Sequence, residues 1–218
     1  MTQRTTVLGV FAGPVRTPWP GRPPSAIGKA AVAGPVRVGP EGLEGDAQAD
    51  RRVHGGPGKA VHAYPAAHYP AWRAALGDRP CFAPGGFGEN VSIDDWTEAE
   101  ACIGDVWRMG SATVAVSQGR QPCWKLAAHV GAEDMIARVR DGLRTGWYLR
   151  VVEPGTVAAG DAVTLEDRPH PEWTVRRAAA AMFDARTDPG TVAALAGLDA
   201  LDETWRAVFA TRARKGAA

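Results

Sequence analysis

Closely spaced glycines and prolines are the feature that most constrains how this chain can fold. The sequence has 26 Gly and 17 Pro in 218 residues, and they interrupt it at short intervals. Both residues favour turns and end regular elements, so their spacing predicts many short strands joined by turns. Hydrophobic residues make up 45% of the chain, which is enough for a sizeable core and makes a soluble globular protein the expected outcome.

The apolar patterns between these turns predict strands and a few helices. Strands are predicted over residues 5–15, 31–38, 59–64, 112–117, 146–152 and 162–166. A helix is predicted over residues 65–76, with Pro65 in its first turn, and another over residues 133–140. A short helix is predicted at residues 97–100, which have the capping-box pattern. Residues 1–170 are therefore predicted to form a mainly β domain with a few peripheral helices.

The character of the sequence changes near residues 169–171. From Thr174 onward the chain is rich in Ala and has apolar residues at helical spacing. Helices are predicted over residues 175–183, 189–196 and 201–212. Asp188 is the predicted N-cap of the second helix and Asp199 that of the third. Because so short a segment barely suffices for an independent fold, residues 171–218 are expected to pack on the β domain or on a partner, as a structural cap or as a recognition element.

Charge and cysteine content exclude several classes of protein. The formal net charge of +1 argues against a nucleic-acid-binding protein driven by bulk charge. No apolar stretch approaches the roughly 20 residues of a membrane helix, and residues 1–10 lack the apolar stretch of a signal peptide. Three cysteines without paired spacing argue against a disulfide framework. We therefore expect a cytoplasmic protein that engages neither a membrane nor a nucleic acid.

One of the three cysteines has an unusual local charge. Arg120 and Lys125 lie close to Cys123 on either side of it in the sequence. Such cations can lower the pKa of a thiol from roughly 8.5 to about 3.5–7.5, which gives thiolate at neutral pH. Cys81 and Cys102 lack this setting. Cys123 is thus a candidate nucleophile, redox thiol or ligand of a soft metal, and a buried structural thiol is the alternative.

A second group of residues, within 46–64, suits an anion. Gly55 and Gly56 let the backbone adopt positive φ and bring amide groups close to a ligand. Cationic side chains that suit a phosphate or another oxyanion surround this turn, namely Arg51, Arg52, His54 and Lys59. The same spacing also fits an ordinary turn with solvated arginines.

Other polar residues of the β domain carry weaker signals. Glu89 and Asn90 follow a Gly-rich run and would either orient a ligand or satisfy the backbone of a tight loop. His62 and His68 are expected to be structural. A zinc site that combined histidines of this region with Cys123 would lack paired ligand spacing and is not favoured.

Short motifs follow one another along the chain in a fixed order. They are PSAIGK (24–29), GLEGDAQAD (42–50), VHGGP (53–57), FGEN (87–90), IGD (103–105), RQPCWKL (120–126), TGWY (145–148), PG (154–155) and GD (160–161). In this order they resemble the MOSC family, the domain shared with the C-terminal part of molybdenum-cofactor sulfurases, and more narrowly its YiiM branch. The resemblance implies a MOSC-type β-barrel over residues 1–170, and the helical pattern of residues 171–218 is similar to the three-helix unit that follows it in that branch.

The resemblance also implies a molybdenum cofactor held in a cleft. Cys123 would be the metal ligand, since a soft, sulfur-rich metal sphere suits a thiolate. His54 and Arg120 would orient the substrate or hold an oxo group, and His54 is a candidate proton donor because imidazole titrates near neutral pH. The residues implied to hold the rest of the cofactor are Lys29, Arg52, Gly55, Gly56, Lys59, Asn90 and Lys125.

The YiiM branch is associated with the reduction of N-hydroxylated purine analogues such as hydroxylaminopurine. The resemblance therefore implies an oxidoreductase whose small-molecule substrate is such an analogue or a related N-hydroxylated compound. Because the sequence has no flavin, haem or iron–sulfur motif, a separate protein would donate the electrons. The alternative is a module that binds and carries molybdenum cofactor or sulfur without turnover. A homodimer is compatible with either function.

Two residues depart from the pattern of the branch. Gly119 stands where proline is usual before the arginine of the cysteine motif, and Gly58 stands where an acidic residue usually follows Gly-Gly-Pro. The first is expected to loosen the presentation of Arg120. The second removes a partner for Lys59 and leaves it freer to meet an anion.

Overall fold

The computed structural model describes residues 3–216. Strands with short helices between them come first along the chain, and three helices follow the last strand. The strands are β1 (Arg4–Ala12), β2 (Ala30–Ala31), β3 (Val36–Gly39), β4 (Gly42–Leu43), β5 (Val61–Pro65), β6 (Val91–Ile93), β7 (Val106–Met109), β8 (Ala112–Gly119), β9 (Trp147–Glu153), β10 (Gly155–Val157) and β11 (Ala162–Asp167). The α-helices are α1 (Arg51–His54), α2 (Tyr69–Leu76), α3 (Trp124–Val130), α4 (Met135–Gly142), α5 (Val175–Phe183), α6 (Pro189–Ala196) and α7 (Glu203–Gly216). Short 3-10 helices, Pro57–Lys59 and Ala66–His68, flank β5.

The main sheet closes into a barrel. Its strands follow the order β1, β6, β5, β9, β8, β7 and β11, and β11 pairs again with β1, where Arg4 lies opposite Thr164. Among these pairs, β5 and β6 are parallel and the others are antiparallel. The strands β10, β3 and β4 form a small separate sheet. The predicted fold class, a mainly β barrel with peripheral helices and a C-terminal three-helix unit, is confirmed.

Apolar side chains fill the barrel. Val61, Val114 and Leu149 are fully buried, and the buried rings of Trp107 and Trp147 meet edge to face with their centroids 5.8 Å apart. Burying each large apolar side chain stabilises the fold by roughly 1.5–3 kcal/mol relative to exposure. The rigid barrel therefore gives the strand ends and connecting loops fixed positions.

Two of the three C-terminal helices have their predicted bounds, whereas α7 is Glu203–Gly216 instead of residues 201–212, and one predicted cap is wrong. Helices α5 and α6 begin and end as predicted, and Asp188 caps α6 by accepting a hydrogen bond from the Thr191 amide at 2.8 Å. Asp199 does not cap α7, because the helix begins only at Glu203; its carboxylate is instead bound by the Arg206 guanidinium at 2.9 Å. Asp202 takes that position, and its Oδ1 accepts from the Thr204 amide at 2.9 Å.

The helix predicted over residues 97–100 is also wrong, although its capping box forms. Glu100 Oε2 accepts from the Thr97 amide at 2.9 Å, yet the segment is a single turn. The backbone then extends so that the Ile103 amide can donate to Trp173 O at 2.8 Å. This tertiary pairing with the C-terminal segment competes with, and replaces, further helical hydrogen bonds.

One predicted strand, over residues 31–38, is divided into β2 and β3. Gly34 lies between them with φ of 72°, a left-handed conformation that ends a strand, and Pro35 follows it. The break turns β3 away from the barrel and into the small sheet with β10 and β4.

The three-helix unit packs against the barrel. Val175, Leu195, Trp205 and Phe209 are buried in the same apolar cluster as Trp147 of the barrel. Residues 3–216 include no helix of the length and apolar character needed to cross a membrane. The boundary between residues 170 and 171 stays a prediction.

Candidate functional site

Cys123 lies between the end of β8 and the start of α3. Its backbone is extended, with φ of −128° and ψ of 171°, and the helix begins at Trp124. Sequence patterns did not predict α3. The buried Pro122 precedes the cysteine, and the sulfur-bearing side chain is partly exposed. The side chain therefore stands at a strand-to-helix turn on a rigid scaffold, and solvent can reach it.

Two connected hollows meet at Cys123. The inner cavity encloses about 590 Å³, part of it open to solvent. Its wall includes Lys29, Asp46, Gln48, His54, Lys59, His62, Asn90, Arg120, Cys123, Lys125 and Tyr148. The outer groove is broader and is lined by, among others, Pro24, Arg52, His54, Lys59, Gln121, Cys123, Trp124, Lys125, Trp205 and Val208. Because His54, Lys59, Cys123 and Lys125 line both, the sulfur can be approached from either side.

The neighbours of Cys123 favour its thiolate form. Burial alone would raise the pKa of this thiol, but hydrogen bonding from the His54 imidazole and the positive charge of Arg120 outweigh it. The backbone amide of Lys125 adds a further hydrogen bond, and the resulting pKa is about 7. A large fraction of Cys123 is consequently ionised at neutral pH, when a thiolate can bind a soft metal or attack an electrophile.

The other two cysteines lack this property. Burial and the negative charge of Asp105 raise the pKa of Cys102 to about 11. Burial also raises the pKa of Cys81. The contrast agrees with the difference in local charge that is visible in the sequence.

Arg120 is held in place by the loops around it. The side chain is 8% exposed, and its guanidinium donates to Phe87 O at 2.8 Å. The backbone amide of Arg120 donates to Gly146 O at 3.1 Å, while the Gly146 amide is bound by the Glu98 carboxylate at 2.6 Å. Gly146 has φ of 63°, and a side chain there would collide with Ala63 O. Arg120 therefore has a fixed position beside the sulfur.

Lys29 and Asn90 line the cavity, but their polar groups are largely used within the protein. The Lys29 ammonium forms an ion pair with Asp46, and both side chains are almost fully buried. Burial lowers the pKa of Lys29. The Asn90 amide donates to Asp46 Oδ2 at 2.8 Å, and its oxygen accepts from the His62 amide at 3.0 Å. Lys29 and Asn90 therefore form part of the cavity wall, and the charge of Lys29 is already paired with Asp46.

Glu89 has the structural role that the sequence left open. Its buried carboxylate accepts hydrogen bonds from the Tyr69 hydroxyl at 2.6 Å, the Gly85 amide at 2.6 Å, the Phe87 amide at 2.9 Å and the Ser92 hydroxyl at 2.7 Å. These bonds satisfy the charge and fix the loop whose Phe87 carbonyl receives Arg120. Glu89 thus supports the site from behind.

The residues of the His-Gly-Gly turn differ in whether their side chains line the two hollows. Asp50 caps the short helix α1 by accepting from the Arg52 amide at 3.1 Å, and this helix delivers His54 to the sulfur. Gly56 has φ of 94°, but neither Gly55 nor Gly56 lines the inner cavity. Arg52 lines only the outer groove, where its side chain is 94% exposed.

Lys59, like His54, is a cationic residue of this turn that reaches the cavity. Its ammonium donates to Val53 O at 2.9 Å and lies in the walls of both hollows. A lysine held by one carbonyl keeps donor capacity for an anion.

Three cavity residues, Tyr148, His62 and Gln48, were not among the predicted site residues, and for His62 the sequence predicted only a structural role. His62 is buried and Tyr148 is half-buried, and their rings lie 5.2 Å apart on adjacent strands β5 and β9. Burial lowers the pKa of His62, which keeps its ring neutral. Gln48 belongs to the motif at residues 42–50, and Tyr148 to that at 145–148, so the motifs were a signal for both. Within residues 3–216, no cluster of three or more His, Cys, Asp or Glu side chains could hold a metal ion alone.

The chain is similar to known protein families and to individual proteins. The model of the MOSC domain matches residues 50–164, and that of the YiiM-like, 3-alpha helix domain matches residues 173–216. The chain is 42% identical to YflK of Bacillus subtilis over 78% of this chain and 76% of that protein. It is 35% identical to YiiM of Escherichia coli over 96% of this chain and 93% of that protein.

A solved structure and a further relative agree with these matches. The crystal structure of YiiM from Escherichia coli has a TM-score of 0.82 and 30% identity to this chain, and the match covers 98% of this chain and 94% of that one. A protein of Gibberella moniliformis named reductase is 38% identical over 69% of this chain, which corresponds to 27% of that longer protein.

Proposed function

The chain belongs to the MOSC family, in its YiiM branch, and on that premise we propose that it is an oxidoreductase that acts at a molybdenum cofactor. Its substrates would be N-hydroxylated purine analogues, such as hydroxylaminopurine, or related N-hydroxylated compounds. One observation carries the proposal. The Cys123 thiol, with a pKa of about 7, stands where the inner cavity and the outer groove meet.

The donor set around Cys123 suits the cofactor. A thiolate is the ligand type that a soft, sulfur-rich molybdenum sphere accepts. Lys59 and Lys125 line both hollows and would supply positive charge for a pterin phosphate, and Arg52 would add charge at the outer groove. When bound, the cofactor would supply a centre that can exchange two electrons with the substrate.

The residues of the chain would provide orientation and a proton. Reduction of a hydroxylamino group breaks the N–O bond, consumes two electrons and two protons, and yields an amine and water. The electrons would come from a separate donor protein. The guanidinium of Arg120 would hold the departing oxygen, and a ring nitrogen of His54 would donate one proton to it. The wall formed by the half-buried Tyr148 and the buried His62 would limit water in the cavity.

The name of the fungal relative supports the reaction class, although this chain corresponds to about a quarter of that protein. The relatives named YiiM support the branch without naming a substrate. The reduction of hydroxylaminopurine is therefore the point that most needs a direct test.

The test uses protein produced in cells that make molybdenum cofactor. Bound molybdenum is measured by mass spectrometry, and hydroxylaminopurine reduction is followed with an artificial electron donor. We expect about one molybdenum per chain and turnover to the amine. Bound metal without turnover of N-hydroxylated compounds would replace the proposal with a cofactor carrier, and the absence of both metal and turnover would refute it.

A further inference from the structure

Two glycines next to site residues, Gly58 beside Lys59 and Gly119 beside Arg120, lie against the C-terminal helical unit. A Cβ atom built on Gly58 would lie 1.8 Å from Asp202 Oδ2, and one built on Gly119 would lie 3.0 Å from Cη2 of Trp205. No side chain fits at the first position without displacing Asp202, and the second is tighter than ordinary packing. These are the same two positions at which the chain departs from the pattern of its branch.

Hydrogen bonds tie the same regions together. The Asp202 amide donates to Ser117 O at 2.9 Å, and the Thr204 hydroxyl donates to the Gln118 side-chain oxygen at 3.1 Å. The Ser117 hydroxyl in turn donates to Gly58 O at 2.5 Å. The segment before Arg120, the turn after His54 and the start of α7 thus form one connected network.

The start of α7 also forms part of the wall of the outer groove. Thr204, Trp205 and Val208 line this groove together with Cys123. Trp205 is 1% exposed and packs in the core shared by barrel and helices. A shift of α7 would therefore change both the width of the groove and the spacing of the two segments that carry the site.

We propose that Asp202 and Trp205 are positioning residues for the site around Cys123. Asp202 sets the place of the turn that presents His54, and Trp205 sets the place of the strand end that presents Arg120. The C-terminal unit then helps to set the geometry of the site around Cys123. The proposal rests on the proposed function only in taking Cys123 as the centre, and its test needs no bound cofactor.

The test uses steric conflict and its relief. Gly58→Ala introduces the Cβ that collides with Asp202, and Asp202→Ser shortens that side chain while keeping an oxygen that can cap α7. The rate at which a bulky maleimide alkylates Cys123 is measured at one pH in cofactor-free protein, by mass spectrometry of peptides. Cys81 of the same molecule is the internal reference.

We expect Gly58→Ala to widen the groove and raise the Cys123 rate relative to Cys81 by about threefold or more, as coupled neighbours allow. The double variant Gly58→Ala/Asp202→Ser should return to the rate of the unmodified protein. Leu195→Ala, which weakens the core of the helical unit away from both glycines, is the matched control. It should lower the melting temperature and leave the rate ratio unchanged.

An unchanged rate ratio in Gly58→Ala, with a fall in melting temperature like that of Leu195→Ala, would reduce the contact to ordinary packing and overturn the proposal. Failure of Asp202→Ser to restore the rate would overturn it as well. If Gly58→Ala does not fold, Trp205→Phe, which removes the ring atom over Gly119, replaces it and must change the same ratio. Loss of molybdenum binding would leave all of these measurements intact, so the two proposals can fail separately.

Discussion

Cys123 and Cys102 are two cysteines in different regions of one domain, and the pKa of Cys123 is about 7 whereas that of Cys102 is about 11. Burial raises the pKa of both thiols. Around Cys102 the strongest charge is that of Asp105, whereas around Cys123 the groups that act are the His54 imidazole and Arg120. The charge and hydrogen bonding of the neighbours, more than burial, therefore decide which cysteine is reactive.

The largest effect is expected when the two thiols are replaced in turn. Cys123→Ser should abolish the retention of molybdenum, because a serine hydroxyl stays protonated at neutral pH and is a poor ligand for a soft metal. Cys102→Ser should retain the metal. Molybdenum content per chain, measured after purification from the same host, tests this. Equal metal content in the two variants would remove Cys123 from the metal site.

The second-largest effect is expected in the alkylation rates of Cys123 and Cys102, measured in the cofactor-free protein. At pH 7 about half of Cys123 is thiolate, and even after allowing for the lower nucleophilicity of a weakly basic thiolate its rate should exceed that of Cys102 by roughly 10²-fold. The Cys123 rate should fall as pH drops below 7 and level off above 8, because its ionisation is then complete. Iodoacetamide and peptide mass spectrometry give both rates from one sample. Similar rates would contradict the contrast.

The two arginines of these regions should differ in their effect on stability. Arg168 binds the buried Asp105 carboxylate with two hydrogen bonds of 2.8 and 2.7 Å. Arg168→Ala leaves that charge buried without its partner and should lower the free energy of unfolding by about 3 kcal/mol. Arg120→Ala leaves Phe87 O without its donor and should cost about 1–2 kcal/mol. Urea unfolding of both variants tests the order, and a larger loss in Arg120→Ala would reverse it.

The smallest effect concerns one hydrogen bond at the sulfur. His54→Ala removes the imidazole that favours the thiolate, so the pKa of Cys123 should rise by about one unit. The pH dependence of alkylation measures this shift. His170→Ala is the control, since His170 lies in the region of Cys102 and contacts Glu172 at 4.0 Å. A Cys123 pKa that stays near 7 in His54→Ala would leave Arg120 as the main cause.

Local features of the sequence predicted much of this molecule. The nearby Arg120 indicated part of the ionisation of Cys123, but the stronger cause, the His54 imidazole, lies far away in the sequence. Helical spacing predicted the bounds of α5 and α6, because these depend on residues a few positions apart. The helix predicted at residues 97–100 failed for the opposite reason. Its capping hydrogen bonds form, but the pairing of Ile103 with Trp173 lies far along the chain.

Tertiary contacts decided what the sequence left open at the site. Lys29 is a cation by its residue type, and only the fold shows that Asp46 holds it. The sequence predicted only that Gly58 leaves Lys59 freer to meet an anion, and the structure adds that Asp202 of the C-terminal unit lies against that glycine. A sequence pattern gives no hint of a contact between residues so far apart, so the part that α7 plays in the groove could not be predicted.

Closure of the barrel has a consequence for how the protein is made. The pairing of β1 with β11 joins Arg4 to Thr164, so the barrel cannot close until nearly all of its strands have been synthesised. Contacts of such long sequence separation slow folding because a large loop must be ordered first. Helices α5–α7 follow the barrel strands along the chain and leave the ribosome after them, and Asp202 can reach Ser117 only then. On a nascent chain, the groove beside Cys123 acquires its final wall after the barrel strands are complete.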